Sequence, residues 1–342
     1  MRTTNLAAAI MVVTSVSTFG CGAAAIQDRS GSQHLPKEAA AMIPSWGPWS
    51  NIGAVTPMIY VATTLGPSIE GYPMNGDGII APLSDLRGGV TDLTSPGQIA
   101  IARGGLLYVA NLSTSAVLIY PQGATGDESI FNAIAGGNTG LNGPAGVAFD
   151  SKGNLYVSNY NLNSICVFAA NRYGNLTPIR KIIGSNTALD KPFGVTVNAN
   201  DELVVANLGN NSVTVYRSNA AGNAKPTATI IGSSTGLLVP GFVAVDNIDE
   251  IYVTNNQANS ITVFAPNASG NVSPLRTISG PMTELSSPLG IAVSPTGRIF
   301  VANSTPGYIT SYAPGANGNV LPVTTIHAPN DGMPEAIGVA IF

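Results

Sequence analysis

From residue 59 onward the apolar residues come in short bursts. IYVAT, LYVAN, LYVSN, LVVAN, IYVTN and IFVAN alternate with AVLIY, SICVF, SVTVY and SITVF, and Gly, Asn, Ser or Pro stands between them. Runs of four to eight such residues, bounded by turn formers and rich in β-branched and aromatic side chains, predict strands rather than helices. No long amphipathic helix is visible after residue 45. The bursts are nearly continuous instead of strictly alternating, which predicts sheets buried on both faces.

The bursts recur with a fixed step of 48 residues. Pro96, Pro144, Pro192, Pro240 and Pro288 keep it, as do Asn111, Asn159, Asn207, Asn255 and Asn303, the aromatics Tyr120, Phe168, Tyr216, Phe264 and Tyr312, and Gly126, Gly174, Gly222, Gly270 and Gly318. In the unit that starts at Pro144, the predicted strands are GVAFD, NLYVS, SICVF and PIRKII, with turns at Ser151–Gly153, at Asn161–Asn163 and around Gly174-Asn175. Proline is tolerated at a strand start, where its missing N–H costs no ladder bond.

A four-stranded unit cannot bury both of its faces alone. Radial closure of such units does so and removes most sheet edges. The predicted fold is therefore all-β, a six-bladed β-propeller of four-stranded antiparallel blades with repeats starting near 48, 96, 144, 192, 240 and 288. The first unit keeps IYVAT at 59–63, Tyr72 and Pro82 but lacks a good first strand, and AIGVAIF at 336–342 aligns with PLGIAVS at 288–294. The C-terminal strand is thus expected to complete blade 1. PWSNIGAVTP at 48–57 is the alternative first strand.

Charged residues make up 9% of the chain and the net charge is −4, which provides no basic field for nucleic acid. Arg2, the apolar run Leu6–Val13 and the small residues after it have the form of an export signal over 1–21, with residues 22–47 as a flexible tether before the propeller at 48–342. Two cleavage patterns compete. Ala23-Ala24-Ala25 suits ordinary signal peptidase, whereas Gly20-Cys21-Gly22 resembles a bacterial lipobox, from which Thr18 and Phe19 depart. In the second pattern Cys21 is lipidated and anchors the protein to the cell envelope, its one expected membrane contact; in the first the protein is secreted. Cys166, in an apolar strand, is expected to be a buried small hydrophobe.

The units GVAFDSKGNLYVSN and NSICVF resemble NHL repeats and, more loosely, the gluconolactonase-like (SMP-30-like) propellers. That resemblance implies a propeller but leaves function open, because one scaffold hosts enzymes, binders and scaffolding proteins. With first strands innermost, Thr63, Asn111, Asn159, Asn207, Asn255 and Asn303 are expected to form a polar ring at the channel mouth, near Gly146, Gly194, Gly290 and Gly338, which leave the mouth open. The ring has two readings. Its amides either hold a polar ligand or a divalent cation such as calcium, or bond the backbone of the adjacent loop in every blade.

Departures from the repeat on the same face are further candidates: Gln98, Tyr160, Phe193 and Phe242, together with Asn256. The gluconolactonase-like enzymes hold a metal with a carboxylate and amides. Only Asp190, Glu284 and Glu335 offer carboxylates here, and each precedes its blade's first strand. The streptogramin-lyase propellers, also similar, use a catalytic histidine at the channel, a place that neither His34 nor His327 fits. No Ser–His or Cys–His arrangement, metal-binding cysteine cluster or P-loop is present. The expectation is a monomeric, non-catalytic binding module without a cofactor, which takes a protein, peptide or carbohydrate through the channel-mouth face. The alternative is a metal-dependent lactonase-like hydrolase.

Overall fold

The computed structural model describes residues 57–329 and 333–342. The signal, the tether, Cys21 and, apart from its last residue, the alternative strand at 48–57 lie outside the described residues.

Six antiparallel blades form, as the repeat predicts. In blade 3 the strands run Pro144–Phe149, Leu155–Asn159, Ser164–Phe168 and Arg180–Ile183 from the axis outward. Blades 2, 4, 5 and 6 begin with first strands Pro96–Ile101, Pro192–Val197, Pro240–Val245 and Pro288–Val293. Every first strand packs against the first strands of both neighbouring blades, which closes an inner ring. The middle strands are buried on both faces, and six apolar clusters make up the core, one between each pair of adjacent blades, of which the one between blades 5 and 6 is larger and extends to the axis.

Blade 1 joins the two ends of the described chain. Its first strand is Ala336–Ile341, which pairs antiparallel with Met58–Thr63, and Val61 faces both Val339 and Glu70. A second closure lies at the rim. In five places a turn glycine makes a parallel bridge to the fourth strand of the preceding blade, as Gly174 does to Ile134 and Gly222 to Ile182. At the sixth, Gly78–Ile79 pairs with Thr324–His327 of blade 6. Each outer edge, which would otherwise present a row of unpaired groups, is thus partly covered by the next blade.

The glycines at the axis differ from expectation. A Cβ on Gly338 would stand 2.2 Å from the carbonyl oxygen of Gly97, one on Gly146 2.3 Å from that of Phe193, and one on Gly194 2.4 Å from Cα of Phe242. They let neighbouring backbones touch, and do not hold the mouth open. A register shift in the inner strands adds to this: between Pro192↔Asn207 and Val195↔Val205, Phe193 and Gly194 oppose the single residue Ala206. A bulge of this kind re-aims side chains, here towards the axis.

Candidate functional site

The residues that follow the entrance prolines converge on the axis at the face where second strands end. Phe193 and Phe242 stack with centroids 5.0 Å apart, and Tyr160 meets Phe193 edge to face at 6.2 Å. Ala145, Leu208, Leu289 and Ile337 join them in one buried cluster fed by blades 1 and 3 to 6. From blade 2 the Gln98 side chain crosses to blades 3 and 4. Its Nε2 donates to the Val195 carbonyl at 2.8 Å, and its Oε1 accepts from the N–H groups of Val195 at 3.1 Å and Val147 at 3.3 Å. Gln98 and Phe242 stand three blades apart, on opposite sides of the axis, and Phe193, Phe242, Leu289 and Ile337 pack together as buried side chains.

The asparagines, at the ends of the second strands, have no exposed surface. In all five blades Oδ1 accepts an N–H from the residue 17 positions earlier: Thr94 to Asn111, Asn142 to Asn159, Asp190 to Asn207, Leu238 to Asn255 and Ser286 to Asn303, at 2.9 to 3.3 Å. The amide nitrogens donate within the same blade, to Thr214 Oγ1 from Asn207 at 3.0 Å and to Cys166 Sγ from Asn159 at 3.2 Å. Every amide therefore ties its second strand to the loop that enters the same blade. Thr63 holds the sixth position and bonds Ser68 Oγ at 2.7 Å. One repeat after Ser286, in the loop that enters blade 1, stands Pro334, which has no N–H to offer, so no amide is needed there.

Cys166 is a buried free thiol, and burial pushes it above the ordinary thiol range. The three carboxylates on this face do not meet. The Asp190 carboxylate lies beside Gly209, Glu284 accepts from Thr325 Oγ1 at 2.9 Å, and Glu335 accepts from Thr64 Oγ1 at 2.7 Å. Among the described residues no three His, Cys, Asp or Glu side chains come together as metal ligands. His327 stacks on Tyr308 at the rim, 5.1 Å between centroids, away from the axis.

Two polar atoms at the mouth lack partners. Tyr160 Oη and Asn256 Nδ2 are buried without a hydrogen bond, in residues 4% and 2% exposed, and burial raises the Tyr160 phenol above its ordinary value. The ammonium of Lys191 sits 5.8 Å from the centre of the Tyr160 ring. Sequence reasoning missed a second set of amides. Asn163, Asn211 and Asn259, all in the left-handed conformation, accept the N–H of Lys191, Val239 and Ser287 in the loop entering the next blade, at 2.7 to 2.8 Å. Their 48-residue step was the available signal. Also missed were apolar side chains at the loop tips of this face: Leu65, Val90, Leu162, Leu238 and Met282 are all exposed.

Fold and site together define a six-bladed propeller whose mouth carries a buried aromatic cluster. A family described as "Lactonase, 7-bladed beta-propeller" matches residues 103–239, a minority of this six-bladed chain. No curated protein matches the sequence. Among solved structures, the chain is similar to a protein from Lactobacillus plantarum (15% identity, 84% of this chain and 100% of that one, TM-score 0.57). It is similar also to a 6-phosphogluconolactonase candidate from Bacteroides fragilis (15%, 85% and 99%, 0.56) and to a chain of a nidogen/laminin complex (12%, 83% and 98%, 0.59). At such identities the likeness speaks for the fold alone.

Proposed function

We propose that this chain is a non-catalytic binding module, built of NHL-type units, that takes a protein or peptide partner on the channel-mouth face. The observation that carries the reading is the set of exposed apolar loop tips on that face: Leu65 56%, Val90 50%, Met282 47%, Leu162 43% and Leu238 41% exposed. The five stand on five separate loops, and apolar side chains at loop tips can serve a protein partner as anchors. A carbohydrate is less well supported, because Phe193 and Phe242, the rings a sugar would stack on, are 6% and 1% exposed. The buried amides of the asparagine ring serve this function by fixing the loops.

The N-terminal pattern of Arg2 and Leu6–Val13 supports export. In the lipobox reading, Cys21 would tether the module to the envelope.

Peptide-display selection on the wild-type protein, with counter-selection on a Leu162→Asp, Met282→Asp variant, tests the reading. Sequences that bind only the wild type are expected, and selection of none, or of sequences that bind both proteins equally, contradicts it. The family match at 103–239 favours a second reading, a lactone hydrolase. It predicts turnover of simple lactones that a divalent cation increases and that Asp190→Asn or Glu284→Gln removes.

A further inference from the structure

The face opposite the mouth carries grooves between blades, and three of them are filled in the same way. In blade 5, Arg276 reaches Glu250 with both terminal nitrogens, Nη1 at 3.1 Å, and lies 6.0 Å over the Tyr252 ring. In blade 3, Arg180 donates to the Tyr156 hydroxyl at 2.9 Å and to the Ser218 carbonyl, 5.7 Å from the Tyr156 ring centre. In blade 6, Arg298 lies 5.1 Å over Phe300. The filling is a guanidinium stacked on the aromatic at the second position of the second strand.

Blade 4 keeps the acid and lacks both other parts. Glu202 occupies the repeat position of Glu250, but Val204 stands where Tyr252 does and Ala228 where Arg276 does. A cleft of about 180 Å³ remains between blades 4 and 5, floored by Val204, Ala228 and Val245 and walled by Glu202 and Asp249. Asp249 Oδ1 is buried there without a partner, while its Oδ2 accepts only from Asn200 Nδ2 at 3.3 Å. The Glu202 carboxylate accepts from Asn198 Nδ2 at 3.1 Å, and among the described residues no cation pairs with either acid. A buried carboxylate oxygen without a donor is costly, and a charge-assisted bond relieves that cost.

We propose that this cleft is a binding site for a guanidinium on a short aliphatic stem, which takes the place that Arg276 fills one blade further on. A planar guanidinium can engage a carboxylate with two parallel bonds while its stem covers the apolar floor, which a compact ammonium does less well. The ligand is either the arginine side chain of a partner or a free guanidinium compound, and the same chemistry recognises both.

Isothermal titration of the full chain at low salt, with N-acetyl-L-arginine N-methylamide as the peptide-like probe and agmatine as the free one, tests the proposal. One saturable site per chain is expected, with the tighter probe identifying the source. Glu202→Gln should weaken binding about tenfold, the loss of one charge-assisted bond. Ala228→Arg should abolish binding and raise Tm, because it restores the missing pair. The lysine analogue should bind more weakly than the arginine probe. Absence of saturable binding to the wild type, or binding that both Glu202→Gln and Ala228→Arg leave unchanged, would overturn the proposal.

Discussion

Blade 1 joins the two ends of the described chain, whereas the four strands of each of blades 2 to 6 are one continuous stretch, and the contrast separates what every blade needs from what the sequence is free to change. Every blade bonds its entering loop through the backbone, as the Leu112 N–H does to the Ser95 carbonyl and the Thr64 N–H to the Glu335 carbonyl at 3.3 Å; the continuous blades add an asparagine amide, whereas blade 1 adds the Thr64 hydroxyl, which donates to the Glu335 carboxylate. Where the other blades carry Leu118, Cys166, Thr214, Thr262 or Thr310 in the third strand, blade 1 carries Glu70, fully buried, with Tyr72, Ser68 and Arg87 around it. The seam thus keeps the repeated backbone contact and replaces the asparagine amide with a local polar network. A loop tie is present in every blade, and the residue that supplies it changes at the seam.

The sharpest way to break the comparison is to remove residues 336–342. Blade 1 would lose its inner strand, and the apolar face of Met58–Thr63 and an unpaired edge would be exposed. The expected outcome is loss of soluble monomer in size-exclusion chromatography; a monomer with wild-type Tm would assign closure to another segment. Gly194→Ala probes the same ring away from the seam. Its Cβ would overlap the Phe242 backbone, and a cost of about 1–3 kcal/mol is expected in denaturant titration.

A finer test sets the acid of blade 1 against that of blade 5. Burial is the largest influence on Glu70 and raises its carboxyl above the usual range despite Tyr72, Ser68 and Arg87. Its contribution to stability is therefore fully present below the ordinary carboxylate value and is lost as pH rises through the raised one. Glu250 is shifted the other way, chiefly by the hydrogen bonds from Arg276, so its contribution is present above the ordinary value and is lost as pH falls through the lowered one. Between about pH 3 and pH 8, Tm of Glu70→Gln relative to wild type should become more favourable with rising pH, and that of Glu250→Gln less favourable. Parallel trends would show that the two environments are alike. The smallest expected effect is at the loop tie, where Thr63→Ala should cost less than Asn207→Ala, by about 1 kcal/mol in chemical denaturation.

Much of this architecture was legible in the sequence, because a step of 48 residues repeated over prolines, asparagines and glycines leaves few alternatives to a closed ring of blades. The C-terminal strand could be placed by the same alignment. The condition of the axis was not legible, since a glycine that leaves space and one that admits a neighbouring backbone look identical in a sequence. Nor does a sequence tell that Gln98 spans three blades. The exception at Thr63 becomes intelligible only when Pro334 is seen in the loop that enters its blade. The empty groove was visible as Val204 and Ala228 breaking the repeat, but nothing in the chain says that positions 24 residues apart share a wall until Arg276 is found lying on Tyr252.

The claim on which the rest depends is that the buried asparagines fasten loops and do not hold a ligand. Thermal unfolding of wild type and of the Asn159→Ala, Asn207→Ala double variant, each with and without calcium, tests it most directly. Two lost ties with N–H groups left unpaired should cost roughly 2–6 kcal/mol, or roughly 4–20 °C in Tm for a domain of this size, and calcium should move neither protein. A wild-type Tm that rises with calcium, and a double variant that fails to respond, would contradict the account and place a metal among the amides.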